Sequence, residues 1–146
     1  MPVTSFSTAG SSSPEAAVLD AYQKMWSTYA KATGSANYLS PDLSRYATAG
    51  ARDLLVRALY NYKKEGVVTR GAPVNHPTVA RLATTEKPPQ ATVRDCMDSS
   101  QWRRYDRNGK LIDTTPPRPR LVRAELASYD GSWKTTLLVV NKGGTC

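Results

Sequence analysis

The chain of 146 residues has few of the side chains on which most metal and nucleophilic sites depend. His76 is its only histidine, and Cys96 and Cys146 are its only cysteines. A compact zinc site needs several closely spaced ligands, so no metal is predicted. Any Ser-His-Asp or Cys-His arrangement would have to include His76. A glycine-rich phosphate loop followed by Lys-Ser or Lys-Thr is also missing, so no cofactor is predicted.

Long apolar runs are missing too. No run approaches the roughly 20 residues that a membrane-spanning helix requires, so no transmembrane segment is predicted in this chain. Residues 1–6 lack both the basic start and the apolar segment of an export signal. Residues 1–12 consist mostly of Ser, Thr, Gly and Ala, and we expect them to form a flexible tether. Residues 13–146 have the length of a single domain.

The two cysteines suggest a covalent clasp, because Cys146 is the last residue and follows the pliable pair Gly143-Gly144. Chain ends fray unless they are tied down, so we expect a Cys96–Cys146 disulfide. Closing a loop of roughly 50 residues would stabilise the fold by about 4 kcal/mol. A disulfide indicates an oxidising compartment, and the export signal would then have been removed from this sequence. The alternative is two unrelated free thiols in a cytosolic protein.

Positive charge is concentrated in one part of the chain. The net charge is +8, and the segment 103–123 holds seven basic residues against two acidic ones. This segment is predicted either to be a solvated loop or to bind an anionic surface or acidic partner. Trp102 and Tyr105 stand beside these arginines, as aromatic residues do in single-strand binders. Nucleic acid is nevertheless disfavoured, because the segment carries no known nucleic-acid signature and a bridged protein lies outside that compartment.

Two main helices are predicted in the first half of the chain. Ser13-Pro14-Glu15 is typical of a helix start, and apolar residues then recur at helical spacing. We therefore predict a helix over 14–33 that ends at Gly34 in the left-handed conformation. A second helix is predicted over 50–65, with Gly66 as its stop. Its apolar face contains Leu54, Leu55, Ala58, Leu59 and Tyr62.

The second half of the chain is predicted to form strands, at 76–86 and 90–98, with the latter resuming through 101–105 after a bulge. The clearest hairpin spans 120–141 around the turn Asp130-Gly131. Counting outward from this turn predicts one buried face shared by both strands. That face contains Val122, Ala124, Leu126, Trp133, Leu137 and Val139. The proline-containing segment 108–120 is predicted to be an exposed, extended loop.

Helices followed by an antiparallel meander predict an α+β domain, with the N-terminal helices packed on a curved antiparallel sheet. The capped first helix, the second helix ending in 60–66, the strand 91–98 with its Asp-Cys-Met-Asp, and the hairpin at 130–134 resemble small secreted proteins and lipoproteins of actinobacteria. Those proteins are similar to the nuclear transport factor 2-like superfamily. The resemblance covers residues 14–146 and implies a cone-shaped fold and export. It does not fix the function, because that superfamily hosts enzymes, binding modules and assembly domains.

The resemblance also supplies two candidates for a catalytic base, Asp95 and His76. Superfamily members that act as isomerases, dehydratases or polyketide cyclases use an acidic or histidine side chain in an apolar cavity as general base. Asp95 lies on the same predicted strand face as two apolar residues, which makes it the better candidate. Structural roles remain open, since Asp95 could cap a turn or pair with Arg94 or Arg81, and His76 could be an ordinary loop residue.

These observations favour a non-enzymatic domain, secreted or tethered to the cell surface, that binds a partner protein or an anionic envelope component. The residues predicted to bind it are Trp102, Arg103, Arg104, Tyr105, Arg107, Lys110, Arg118, Arg120 and Arg123. One alternative is a small-molecule binder, or an enzyme like a polyketide cyclase or isomerase, that uses the cone cavity. Another is an assembly domain of a secretion or conjugation apparatus. A homodimer formed through the outer sheet face, as is common in the superfamily, also stays open.

Overall fold

A computed structural model describes residues 13–146, so the predicted tether at 1–12 lies outside the described residues. Within the described range the chain forms three helices and then six strands. The helices are α1 (Pro14–Thr33), α2 (Leu43–Tyr46) and α3 (Ala49–Glu65). The strands are β1 (Val68–Gly71), β2 (Pro77–Ala83), β3 (Gln90–Met97), β4 (Trp102–Tyr105), β5 (Arg120–Tyr129) and β6 (Ser132–Val140). None of the helices in this range is long and apolar enough to cross a membrane.

Both ends of α1 agree with the prediction, but the conformation of the residue that follows it does not. The Ser13 side chain accepts a hydrogen bond from the backbone N–H of Ala16 at 3.1 Å, and a proline occupies the first turn. Gly34, however, has φ −63° and continues the right-handed turn. Ala36 is the residue with positive φ, at 51°, and the N–H of Asn37 then closes the turn onto a carbonyl of α1. The predicted left-handed stop at Gly34 is therefore wrong.

The apolar face of α3 divides into two parts. Leu55 and Leu59 are buried in the core, as predicted. Leu54 is 37% exposed, and Ala58 and Tyr62 are half-buried. The helix ends at Gly66 with φ 73°, which confirms the predicted left-handed stop. The second part of this face lies beside a cavity rather than in the core.

The strands form two antiparallel sheets, one with the order β2-β3-β5-β6 and one with β1 and β4. Strand β4 was predicted to continue the preceding strand after a bulge, but it pairs instead with β1. The two strands meet at Gly71 (φ 86°), where an added Cβ would overlap the carbonyl oxygen of Gln101. A glycine is needed there because the two backbones approach so closely.

The β5–β6 hairpin has the predicted turn and, near that turn, the predicted register. Asp130 and Gly131 have φ of 54° and 85°, as a two-residue turn with positive φ at both positions requires. Leu126 lies opposite Thr135, as counted from the sequence. Val122, Ala124 and Leu126 of β5 are buried on the face that packs against the helices.

Beyond that point a bulge at Thr136 shifts the register of β6. Leu137 then pairs with Glu125, and the hydroxyl of Thr136 donates to the carbonyl oxygen of Glu125 at 3.2 Å. Because one extra residue moves every later side chain to the opposite face, Leu138 is buried. Leu137 and Val139 are 43% and 42% exposed. Their predicted burial is therefore wrong.

The core lies between the helices and one face of the main sheet. Its largest side chains come from α1, α2 and α3 on one side and from β3, β5 and β6 on the other. The N–H of Thr48, just before α3, donates to the carbonyl oxygen of Thr135 at 2.9 Å and joins the helical layer to the edge strand β6. This arrangement confirms the predicted fold class, N-terminal helices packed on a curved antiparallel sheet.

Cys96 and Cys146 form the predicted disulfide, which joins β3 to the last residue of the chain. Their Cα atoms are 5.8 Å apart, within the usual range. The tail has further contacts with the start of β5. The N–H of Leu121 donates to the Thr145 hydroxyl at 2.7 Å, and the N–H of Gly144 donates to the Pro119 carbonyl at 2.7 Å. The chain end is therefore fixed to the sheet.

Candidate functional site

A cavity of about 430 Å³ lies between α1, α3, β4 and the segment that leads into β5. Its walls are mainly apolar and aromatic. Trp26 and Tyr29 come from α1, Leu54 and Tyr62 from α3, and Trp102 from β4. Helical spacing brings the α3 side chains to one side, because residues four apart lie one above the other. Small-molecule sites are commonly clefts of ~300–1,000 Å³ with such walls.

One wall of the cavity is a cluster of three aromatic rings. Trp102 stands edge-to-face against Tyr29 and Trp26, with ring centroids 5.7 and 6.1 Å apart. The indole N–H of Trp102 donates to the hydroxyl of Thr69 at 3.1 Å, and that hydroxyl shares a buried 2.6 Å hydrogen bond with Thr33. These contacts fix the Trp102 ring in the wall. Trp102, predicted to bind a partner, is thus a half-buried lining residue of the cavity.

The mouth of the cavity carries an ion pair. The Arg104 guanidinium binds the Asp113 carboxylate through two hydrogen bonds, with Nε to Oδ2 at 2.8 Å and a terminal nitrogen to Oδ1 at 2.6 Å. Arg103 donates to the backbone carbonyl of Asp113. The hydrogen bonds from Arg104 lower the pKa of Asp113. They also raise the pKa of Arg104, so both groups are charged at neutral pH.

Asp113 belongs to the segment 108–119, which we call the proline segment. It belongs to the stretch 108–120, which was predicted to be an exposed loop, and its backbone pairs with β4 only at an isolated bridge between Leu111 and Tyr105. Asp113 and Pro117 are nevertheless half-buried and line the cavity. The N–H of Ile112 donates to the Arg104 carbonyl at 2.9 Å. The proline segment therefore packs across one side of the cavity mouth.

The remaining polar groups of the cavity differ in charge. Burial raises the pKa values of Tyr29 and Tyr62, so both phenols are neutral. Arg120, the first residue of β5, also lines the cavity. Its Nε is buried and has no hydrogen-bond partner among the described residues. Ser99 adds a small hydroxyl to the lining.

The two candidates for a catalytic base are brought together, but away from this cavity. Asp95 is 1% exposed and accepts hydrogen bonds from the Tyr22 hydroxyl, the Asn75 amide and the backbone N–H of His76, at 2.6–2.7 Å. The His76 ring is exposed, with Nδ1 2.9 Å from the carbonyl oxygen of Cys96. Burial raises the pKa of Tyr22, which therefore stays a hydrogen-bond donor. Asp95 holds the segment before β2 against α1 and β3.

The remaining predicted binding residues do not form one surface. Arg118 packs against the tail at Gly144, on the side of the disulfide. Arg123 is exposed on the outer sheet face, where its Nε lies 3.4 Å from the Glu125 carboxylate. Lys110 is exposed in the proline segment.

Arg107 lies at a second groove, beside the end of α3 and the start of β1, and Tyr105 contacts one of the groove's arginines. Arg107 lies directly over Gly66, where an added Cβ would be 2.6 Å from its Nε. Arg70 lies 4.2 Å from the centroid of the Tyr105 ring, a cation–π contact. Lys63, Arg70 and Arg107 line a groove of about 420 Å³. Sequence reasoning missed Lys63 and Arg70, because they are distant from Arg107 along the chain.

Sequence reasoning also did not place Leu54 and Ala58 at a cavity. A signal was present, since the predicted apolar face of α3 is broader than two buried leucines require. Within residues 13–146 no group of three or more His, Cys, Asp or Glu side chains could hold a metal ion.

No protein-family model matches the chain, and no curated protein matches it. Among solved structures, the chain is similar to Aln2 from a Streptomyces species, with 9% identity and a TM-score of 0.56 over 89% of this chain and 92% of that one. A Catenulispora acidiphila protein is 18% identical, with a TM-score of 0.47 over 87% and 92%. The intermembrane space region of chloroplast protein ARC6 is 14% identical, with a TM-score of 0.47 over 97% and 100%. The likeness to Aln2 concerns the fold alone, a helix-on-sheet α+β architecture.

Proposed function

We propose that residues 13–146 form a single non-enzymatic binding domain whose cavity holds a small, largely apolar organic molecule. The observation that carries this proposal is the aromatic cavity of about 430 Å³ between α1, α3 and β4. Its wall is ordered in advance by the contacts of Trp102 with Trp26, Tyr29 and Thr69. A binding wall that is already ordered loses little side-chain entropy when a ligand enters.

Among residues 13–146 no free carboxylate base lines this cavity, which supports binding rather than catalysis. Asp95, the carboxylate that the sequence offered as a base, does not line the cavity, and its two oxygens accept three hydrogen bonds. Asp113 does line the cavity, but Arg104 binds both of its oxygens. A general base must reach the proton that it removes, and neither carboxylate is placed to do so.

We place the domain in an oxidising compartment, secreted or tethered at the cell surface. The Cys96–Cys146 disulfide supports this location, because such bonds persist in secreted and envelope proteins and are rare in the cytosol. The resemblance to secreted proteins and lipoproteins of actinobacteria points to the same location.

A fluorescence titration with neutral N-phenyl-1-naphthylamine tests the proposed function. We expect saturable enhancement with wild type and its loss in Ala58→Trp, because an indole at this lining position fills the cavity. Asn61→Trp is the matched control, since it adds the same side chain to an exposed position of α3 outside the cavity. Equal dye binding by both variants, or no binding by folded wild type, would refute the proposal.

A second candidate function is the binding of an anionic envelope component at the groove of Lys63, Arg70 and Arg107. Among the described residues none of these cations forms a salt bridge. Asp106, which also lines the groove, accepts hydrogen bonds from two backbone N–H groups of its own turn. We expect wild type to sediment with phosphatidylglycerol vesicles at low salt and not at high salt. Arg107→Gln should weaken sedimentation, and salt-independent binding would exclude this function.

A further inference from the structure

We infer that the cavity ligand is an amphipathic monoanion and that Arg120 binds its acid group. This inference rests on the proposed function, because it names the chemical class of the molecule that the cavity holds. It starts from the ionisable groups that line the cavity, which are Arg104, Asp113, Arg120 and two tyrosines. Both tyrosines are neutral, because burial raises their pKa values.

The charges of this set do not balance. Arg104 and Asp113 neutralise each other through two short hydrogen bonds. Arg120 forms no salt bridge with any described residue, so the cavity carries one uncompensated positive charge. A partly buried cation is unfavourable unless an anion or hydrogen-bond acceptor offsets its desolvation. A ligand with one negative charge would supply that partner.

The hydrogen-bonding state of Arg120 points to the same partner. Its Nε is buried and has no acceptor in the part of the chain that the structure describes, whereas almost all buried polar atoms in proteins have one. A guanidinium presents its N–H groups in a planar fork that matches the oxygens of a carboxylate, sulfonate or phosphate. Arg120 lines the cavity together with Arg104, Asp113 and Tyr62. An acid group on Arg120 would therefore lie among the polar groups of the lining.

The neighbouring arginines already donate hydrogen bonds to Asp113. Arg104 donates to Asp113 through two nitrogens, and Arg103 donates to the Asp113 carbonyl without lining the cavity. A second negative charge on the ligand would meet the Asp113 carboxylate instead of a free cation. The structure therefore favours a monoanion over a dianion. Its apolar body would lie against Trp26 and Trp102.

Two dyes with the same ring skeleton distinguish the contribution of the negative charge to binding from the contribution of the apolar rings. The anionic dye 8-anilinonaphthalene-1-sulfonate is N-phenyl-1-naphthylamine with one added sulfonate. We expect Arg120→Gln to weaken binding of the anionic dye by about tenfold or more, because a charge-assisted hydrogen bond is lost. Binding of the neutral dye should change by less than about twofold. Arg120→Lys should retain part of the affinity for the anionic dye, since it keeps the charge without the planar fork.

Arg123→Gln is the matched control, because it removes the same charge from the same strand at an exposed position on the opposite face. It should leave the binding of both dyes unchanged. If the two dyes respond equally to Arg120→Gln, or if Arg123→Gln weakens the anionic dye as much, the inference is wrong while cavity binding stands. If neither dye binds wild type, the proposed function fails first. If Arg120→Gln does not fold, full affinity of folded Arg120→Met for the anionic dye would overturn the inference.

Discussion

Removing the disulfide by substitution of its exposed cysteine should lower the free energy of unfolding by about 4 kcal/mol. Cys146 is exposed and terminal, so Cys146→Ser breaks the bond without leaving a hole in the core. The bridge closes a loop with a sequence separation of 50. The loss of entropy that this closure imposes on the unfolded chain corresponds to about 4 kcal/mol at 25 °C. For a domain of this size, that free energy corresponds to a fall in melting temperature of about 10–15 °C.

Urea denaturation followed by tryptophan fluorescence measures this cost. Wild type in reductant and Cys146→Ser without reductant should agree, because both lack the same bond. The slope of unfolding free energy against urea should also rise in both, since an uncrosslinked unfolded chain exposes more surface. Thr145→Val is the control for the local contacts of the tail, and it should cost only about 1 kcal/mol. A loss below about 1.5 kcal/mol for Cys146→Ser would refute the reasoning.

Three further predictions concern individual contacts. In urea denaturation, Gly71→Ala should destabilise the fold by about 2 kcal/mol more than Gly131→Ala. Both glycines have a similar positive φ, but only a Cβ at Gly71 would collide with another part of the backbone. Equal losses of unfolding free energy in the two variants would contradict this reasoning. Tyr22→Phe should cost about 2 kcal/mol in the same assay and leave the binding of neutral dye unchanged, since Asp95 loses a buried donor outside the cavity; loss of dye binding by the folded variant would contradict the structural role. The pKa of Asp113 is lowered in the fold, so the Arg104 pair is intact above the ordinary value of 3.8 and is lost as pH falls through the lower folded value. Amide hydrogen exchange in the proline segment, corrected for the intrinsic rate, should therefore accelerate in wild type as the pH falls below the folded pKa of Asp113. In Asp113→Asn the exchange should already be fast at neutral pH. An unchanged exchange rate in that variant would be evidence against the ion pair as an anchor of the segment.

Features fixed by short stretches of sequence were predicted well. The bounds of the first helix follow from a capping serine, a proline in the first turn and apolar residues at helical spacing. The turn at Asp130-Gly131 follows from two residues that accept positive φ. Cys96 and Cys146 could be paired because no other cysteine competes. Each of these predictions needed only neighbouring residues or a simple count.

Features decided by distant contacts were not predicted. The bulge at Thr136 depends on how β6 meets both β5 and the segment before α3, so counting from the turn placed Leu137 and Val139 on the wrong face. The pairing of β4 with β1 depends on the close approach at Gly71, which the sequence shows only as one more glycine.

The candidate site was likewise predicted only where neighbouring residues in the sequence determine it. The sequence identified the basic segment 103–123 but treated its charges as one surface. In the fold, Asp113 neutralises Arg104, Arg118 packs on the tail, and Arg120 remains as the uncompensated charge of the cavity. Composition alone cannot assign partners to individual charges, because the partners depend on strand faces and on the path of the proline segment.

A crystal structure of the protein with 8-anilinonaphthalene-1-sulfonate would test the central claim most directly. We predict density for the rings inside the cavity, against Trp26 and Trp102, with the sulfonate within hydrogen-bonding distance of Arg120. Density for the dye only on the outer sheet face, beside Leu137 and Val139, and none in the cavity would contradict the account.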